Sequence, residues 1–136
     1  MAQIQPYLHF NGNCREAMTF YKDCLGGELN LMTIGDSPMA SNMPAEMHQN
    51  IMHAQLKTNS LVLLASDMGE AQAVKGNMLS LLLDCTSQEE IQDLFTKLSA
   101  GGTVGHALEV TFWGATFGDL TDKYGINWML NFDKNQ

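Results

Sequence analysis

Charge is scarce in this 136-residue chain, at 16% of residues, and basic charge is scarcer still. Seven Lys and Arg stand against fifteen Asp and Glu, giving a formal net charge of −8. Binding to nucleic acid or to an anionic membrane surface relies on clustered Lys and Arg, and no positive stripe is visible, so neither partner is expected. Cysteine is also sparse: Cys14, Cys24 and Cys85 are odd in number and form no C-x-x-C pair. That pattern speaks against a disulfide framework and against a thiolate zinc site, and a reducing cytoplasm is the expected compartment. Long hydrophobic runs are missing as well, since no segment approaches the ~20 apolar residues that span a bilayer. The opening MAQIQPYLHF has neither a basic leader nor an apolar run of signal-peptide length.

What remains is a chain with 45% apolar residues, long enough to bury one sizeable core. Its most informative feature is a doubled phrase, Phe-x-Lys-x-x-x-Gly-Gly, at Phe20, Lys22, Gly26, Gly27 and again at Phe95, Lys97, Gly101, Gly102. The offset is constant (95 − 20 = 75, 102 − 27 = 75). A repeat of that length predicts two copies of one supersecondary module, with a cleft between them.

Periodicity fills in the modules. Residues 4–10 read as a strand, and Asn11-Gly12-Asn13 as a turn in which Asn13 caps a helix with Glu16 three residues on. Cys14, Ala17, Met18, Tyr21 and Leu25 form one helical stripe, stopped by Gly26-Gly27. Residues 28–34 read as a strand, and 35–50, with two prolines and three methionines, as a long loop of the lid or ligand-binding type. Strands at 51–57 and 60–66 read as a hairpin, and 67–76 as a linker. The continuously apolar Met78 to Leu83 predicts a strand covered on both faces. Ser87 to Glu90 is a capping box, and Ile91, Leu94, Phe95 and Leu98 repeat the stripe. Strands near 103–109, 113–120 and 126–132 complete a second module over 77–132, matching a first over 1–68 within one domain, 1–136.

The order strand, helix, strand, strand, strand, given twice, resembles the vicinal oxygen chelate superfamily, which includes glyoxalase I, extradiol dioxygenases and bleomycin-binding proteins. Pro6-Tyr7-Leu8, Phe10-x-Gly12-Asn13-Cys14, Glu16-Ala17, Phe20-Tyr21 and Leu25-Gly26 are similar to its PhnB-like branch, as are His53-Ala54, Leu56 and Ser66-Asp67. So are Thr111-Phe112-Trp113, Phe117-Gly118, Thr121-Asp122-Lys123 and Trp128-Met129. The resemblance spans nearly the whole chain. It implies an α+β fold, two βαβββ modules in tandem forming a half-open barrel around a central cavity, in a homodimer. The branch carries a methyltransferase label. No glycine-rich loop of the kind that cradles a nucleotide cofactor follows a strand here, so the sequence does not support that label.

Metal-dependent members of the superfamily place one ligand on each of four strands. By the resemblance those positions fall on Pro6, Gln55, Asn77 and Met129. Proline has no donor, methionine is too soft for Mg²⁺ or Mn²⁺, and two neutral carbonyl oxygens make a poor divalent site, so no metal cofactor is expected. The alternative is a relocated divalent ion held by His53, on the same strand face as Gln55, and Glu109. The plainer explanation of His53 is a core-edge histidine with one hydrogen bond. His9 is expected to point towards the helices if Leu8 and Phe10 line the cavity, and His48 and His106 have no partner at a telling spacing.

Glu109, Thr111 and Trp113 share a face if the strand runs on, and a carboxylate beside an indole would suit a general base. A solvated Glu at a strand end explains it equally well. Trp113, Phe117 and Trp128 would wall an apolar pocket or simply fill a core. Cys14, in the first turn of its helix, is read as a small buried hydrophobe before it is read as a reactive thiol. Methionines around the long loop favour an adaptable apolar ligand. Two functions follow. The first is a metal-free protein binding a small, partly apolar molecule through His53, Gln55, Asn77, Trp113, Phe117 and Met129. The second is a lyase, isomerase or transferase of the superfamily type with Glu109 as base, with or without metal.

Overall fold

Tyr7–Phe10 is the first strand, β1, of a computed structural model that describes residues 2–68 and 73–134. It is followed by α1 (Cys14–Leu25), β2 (Glu28–Thr33), β3 (Ile51–Lys57) and β4 (Val62–Asp67). These belong to the first of two units, Met1–Val74; the second is Lys75–Gln136. The strand order is β1-β4-β3-β2, with β1 parallel to β4 and the other pairs antiparallel. Alternation decides which residues α1 covers. Leu8, Phe10, Ala54, Leu56, Leu63 and Ala65 are buried with Cys14, Ala17, Met18 and Tyr21 of the helix. The last helical residue of the buried stripe is Cys24, while Leu25 is only half-buried.

Three local expectations change in this unit. The first strand begins at Tyr7, leaving Ile4 fully exposed. Asn13 makes no side-chain cap; its Oδ1 accepts from the Asn11 amide at 3.2 Å. The start of α1 is instead served from the end of β4, where Asp67 Oδ1 accepts the Cys14 N–H and Oδ2 accepts the Ile51 N–H, both at 2.8 Å. A carboxylate is well placed beside the unpaired amides of a helix N-terminus. The long connection from β2 to β3 has structure of its own, with 3₁₀ turns at Ala40–Asn42 and Ala45–Met47. His48 Nε2 lies 2.8 Å from the Ala40 carbonyl and 3.1 Å from that of Met43, so one imidazole joins both turns.

The second unit repeats the topology with β5 (Leu81–Asp84), α2 (Gln88–Ser99), β6 (Thr103–Val110), β7 (Thr116–Thr121) and β8 (Asn127–Phe132), in the order β5-β8-β7-β6. The expected capping box is present. Ser87 Oγ accepts the Glu90 N–H at 3.0 Å, and Glu90 reaches back to the Thr86 N–H at 2.8 Å. The expected doubly covered strand is not. Met78 is 95% exposed, Leu79 is exposed, and within β5 burial alternates, with Leu82 exposed. The strand expected from residue 113 begins at Thr116. Thr111 opens a tight turn in which its carbonyl accepts from Gly114, whose φ is 92°.

The doubled phrase proves to be out of step with the doubled structure. The helices repeat at 74 residues (88 − 14 = 74, 99 − 25 = 74). That spacing aligns buried Ala17 with Ile91, Tyr21 with Phe95 and Cys24 with Leu98, whereas Phe20 is only half-buried. The glycines repeat at 75 because Ala100 is an extra residue between α2 and Gly101. There the equivalence is physical. A Cβ on Gly27 would lie 2.5 Å from the Lys57 carbonyl oxygen, and one on Gly102 would collide with that of Thr121. Among the described residues no helix is long and apolar enough to cross a membrane.

Candidate functional site

Each sheet has one face covered by its helix and one turned away from it, and the predicted site residues divide along that line. In the first unit the face away from α1 takes Tyr7 and His9 from β1, Asn30 and Met32 from β2, His53 and Gln55 from β3, and Leu64 and Ser66 from β4. Strand register sets their neighbours. Tyr7 is opposite Leu64, Leu64 opposite Gln55, and Gln55 opposite Asn30; His9 is opposite Ser66, and His53 opposite Met32. Three rings form a continuous group, with the Tyr7 centroid 5.1 Å from His9 and 6.4 Å from His53.

His53 and Gln55 therefore share a face as the sequence predicts. His9 does not turn towards the helix. Leu8 and Phe10 take the helix side and leave His9 exposed beside Tyr7. Pro6 precedes β1, in step with Leu8, so the first-strand positions on the open face are Tyr7 and His9.

In the second unit the covered side is marked by Gly118, where a Cβ would lie 2.9 Å from Phe95 of α2, and by Thr116, which bonds Gln88 at 3.1 Å. The opposite face carries Leu82, Asp84, Phe117, Asp119, Met129 and Asn131, with Glu109 opposite Phe117 and Met129 opposite both Leu82 and Asp119. Glu109, Phe117 and Met129 are thus brought onto one sheet. Trp113 is not. β6 ends at Val110, so the alternation that would place Trp113 with Glu109 is broken; Trp113 sits in the turn, edge-on to Phe112 at 4.8 Å. Asn77 lies four residues before β5, exposed and on no strand. Trp128 is buried in the core, with its Nε1 donating to Asp122 at 2.8 Å.

One residue that spacing could not single out gains a partner. His106 Nδ1 is 2.8 Å from Asp119 Oδ2, and the His106 amide donates to Asp119 Oδ1 at 3.1 Å. The register shifts on both sides of His106, which is why counting along β6 did not find the pair. The thiols are poor nucleophiles. Burial, then the charge of Asp67, pushes Cys14 up to about 12. Burial, then Glu90, pushes Cys85 up to about 11.

A sequence family described as 3-demethylubiquinone-9 3-methyltransferase matches residues 2–131. The chain belongs to that family. It is the PhnB-like branch of the vicinal oxygen chelate superfamily, with the α+β fold of two βαβββ modules in tandem. Protein YjdN of Escherichia coli K12 is 34% identical, the alignment covering 98% of this chain and 97% of that protein. The crystal structure of PA1353 from Pseudomonas aeruginosa is 43% identical with a TM-score of 0.86, covering 98% of each chain. The PhnB protein of Bacillus cereus is 28% identical with a TM-score of 0.74, covering 96% of this chain and 99% of that one. At 18% identity and a TM-score of 0.59, lactoylglutathione lyase of Agrobacterium tumefaciens shares the fold.

Two groups are implied by these relationships, a methyl donor by the family's description and a divalent ion by the superfamily's metal enzymes. The turn before α1 holds a single glycine, and that before α2 holds none, so neither offers the glycine-rich amide cradle of a nucleotide-derived methyl donor. Among the described residues no three His, Cys, Asp or Glu side chains come together as a metal-binding group. The alternative pair, His53 and Glu109, belongs to different units.

Proposed function

We propose that this PhnB-like protein binds a small, partly apolar molecule on the sheet faces turned away from its helices, without the divalent ion used by the superfamily's metal enzymes. The observation that carries this reading is the make-up of the first unit's open face. Tyr7, Met32 and Leu64 share that face with the neutral donors and acceptors of Asn30, Gln55 and Ser66. Apolar surface with a few placed polar groups is the composition of a small-molecule site. Phe117 and Met129 add the same character to the second sheet. The reading includes a homodimer and, because all three cysteines are buried thiols, a reducing cytoplasm.

Protein purified without added metal is expected to contain no stoichiometric Fe, Ni, Zn or Mn, and divalent ions are expected to leave its melting temperature unchanged. Stoichiometric metal that disappears in His53→Ala would overturn the metal-free reading. A second reading, an enzyme with Glu109 as general base, draws support from the pairing of Glu109, exposed on β6, with Phe117 across the strand pair. It requires that Glu109→Gln abolish turnover of a bound ligand while leaving its affinity intact.

A further inference from the structure

The two open faces share a topology but not a charge. That of the second unit carries three carboxylates, Asp84, Glu109 and Asp119. On the first, the only carboxylate among the described strand residues in step with the ring group is Glu28, at the far end of β2 and opposite Lys57. Around the rings themselves the polar groups among the described strand residues are neutral donors or imidazoles: Tyr7, His9, His53, Gln55, Asn30 and Ser66. In a chain of net charge −8, this is a place where an anion meets hydrogen-bond donors and, among the described strand residues, no adjacent carboxylate.

From this we infer that the first unit's open face takes a planar aromatic ring bearing an anionic group, such as an aromatic carboxylate. The inference rests on the small-molecule reading above and names its ligand class. The rings supply the first half of the argument. Tyr7 lies between His9 and His53 with interplanar angles of 34° and 46°, so the three form a tilted π-surface and leave no slot between them. A flat ligand is held by lying over that surface, since offset and tilted ring pairs are favourable at such separations. The second half is the polar edge. Gln55 lies two strands from Tyr7, across Leu64, about 10 Å at the spacing of paired strands, so its amide N–H meets an anionic group projecting from a ring laid over Tyr7 and Leu64, and Asn30 lies one strand further. Imidazole N–H groups of His9 and His53 serve the same purpose. An aliphatic acid of equal size would keep the donors and lose the ring contacts, and an uncharged aromatic would do the reverse.

The test uses the full chain and three probes: benzoate, cyclohexanecarboxylate and benzamide. Imidazole C–H signals of the four histidines are followed by NMR and assigned by single substitutions. Benzoate is expected to move the His9 and His53 signals while leaving His48 and His106 in place. Its affinity should exceed that of each other probe by about tenfold. Tyr7→Leu should weaken benzoate by about tenfold, and Tyr7→Phe, which keeps the ring, should hold it within about twofold. Movement of His106 alone, equal binding of cyclohexanecarboxylate, or no shift at about 10 mM benzoate, ten times a millimolar Kd, would overturn the inference. Equal binding of the aliphatic acid would leave the broader small-molecule reading standing. Metal lost on His53→Ala would remove that reading and this one together.

Discussion

The indole Nε1 of Trp128 donates to Asp122 Oδ2 at 2.8 Å inside the core of the second unit. The other oxygen of Asp122 accepts the backbone N–H groups of Tyr124 at 2.8 Å and Ile126 at 3.1 Å. One buried carboxylate thus shapes the turn between β7 and β8 and fixes the largest side chain of that core. Asp122→Ala would leave those buried donors unsatisfied and should cost about 2–4 kcal/mol. Asp122→Asn, which keeps an acceptor oxygen, should cost less. Urea unfolding followed by tryptophan fluorescence measures both, and equal losses would contradict this account.

The glycines after α1 are not equivalent to each other. At Gly26 a Cβ would meet nothing within 4 Å, so Gly26→Ala bears only the strain of φ 77° with ψ −163°, a conformation nearly confined to glycine, about 1–3 kcal/mol. At Gly27 the same change drives a methyl group into the Lys57 carbonyl, 2.5 Å away, at φ 92°. Gly27→Ala should therefore lose more, about 3 kcal/mol or above, and Gly102→Ala should match it in the second unit. Comparable midpoints for the Gly26 and Gly27 variants would refute the steric reading.

Phe20 and Phe95 occupy the same place in the doubled phrase and different places in the structure. Phe95 is buried beneath β7, whereas Phe20 is half-buried beside Tyr21 at 5.6 Å. Phe95→Ala should cost about 3–4 kcal/mol and Phe20→Ala well under half of that. Equal losses would restore the 75-residue equivalence that the helices contradict.

The buried thiols predict a loss of stability in alkali. A thiol ordinarily ionises near 9.0, and folding raises Cys14 to about 12 and Cys85 to about 11. Above pH 9 the unfolded chain releases protons that the folded chain retains, so stability falls as pH rises, by up to about 1.4 kcal/mol per thiol per unit. Below 9 these groups contribute no slope. A Cys14→Ala, Cys85→Ala double variant should flatten the fall between about pH 9 and 11. An unchanged slope in that variant would rule the thiols out. Native Cys14 should also resist alkylation at neutral pH, because the thiolate is the reactive form.

Much of the fold was legible before any coordinates. Two helical stripes, each ended by glycine and flanked by strand-like runs, specified two βαβββ modules because periodicity and chain stops are local properties. The capping box at Ser87 and Glu90 was local too. The cap on α1 was not, since its acceptor, Asp67, lies 53 residues from Cys14. The candidate site was legible only in pieces. His53 and Gln55 share a face by simple alternation, but a turn at Thr111 to Gly114 ends the strand early and leaves Trp113 off it. Asn77 lies off the strands because β5 begins at Leu81.

By itself the sequence determined the modules, their order, the family and the shortage of basic charge, all of which depend on near neighbours along the chain or on composition. Tertiary structure alone decided which side of β1 is covered. Either parity of Pro6-Tyr7-Leu8-His9-Phe10 could pack, as both carry apolar or aromatic groups. Burial of Leu8 and Phe10 with the stripe of α1 settled it, and in doing so turned Tyr7 and His9 outwards beside His53.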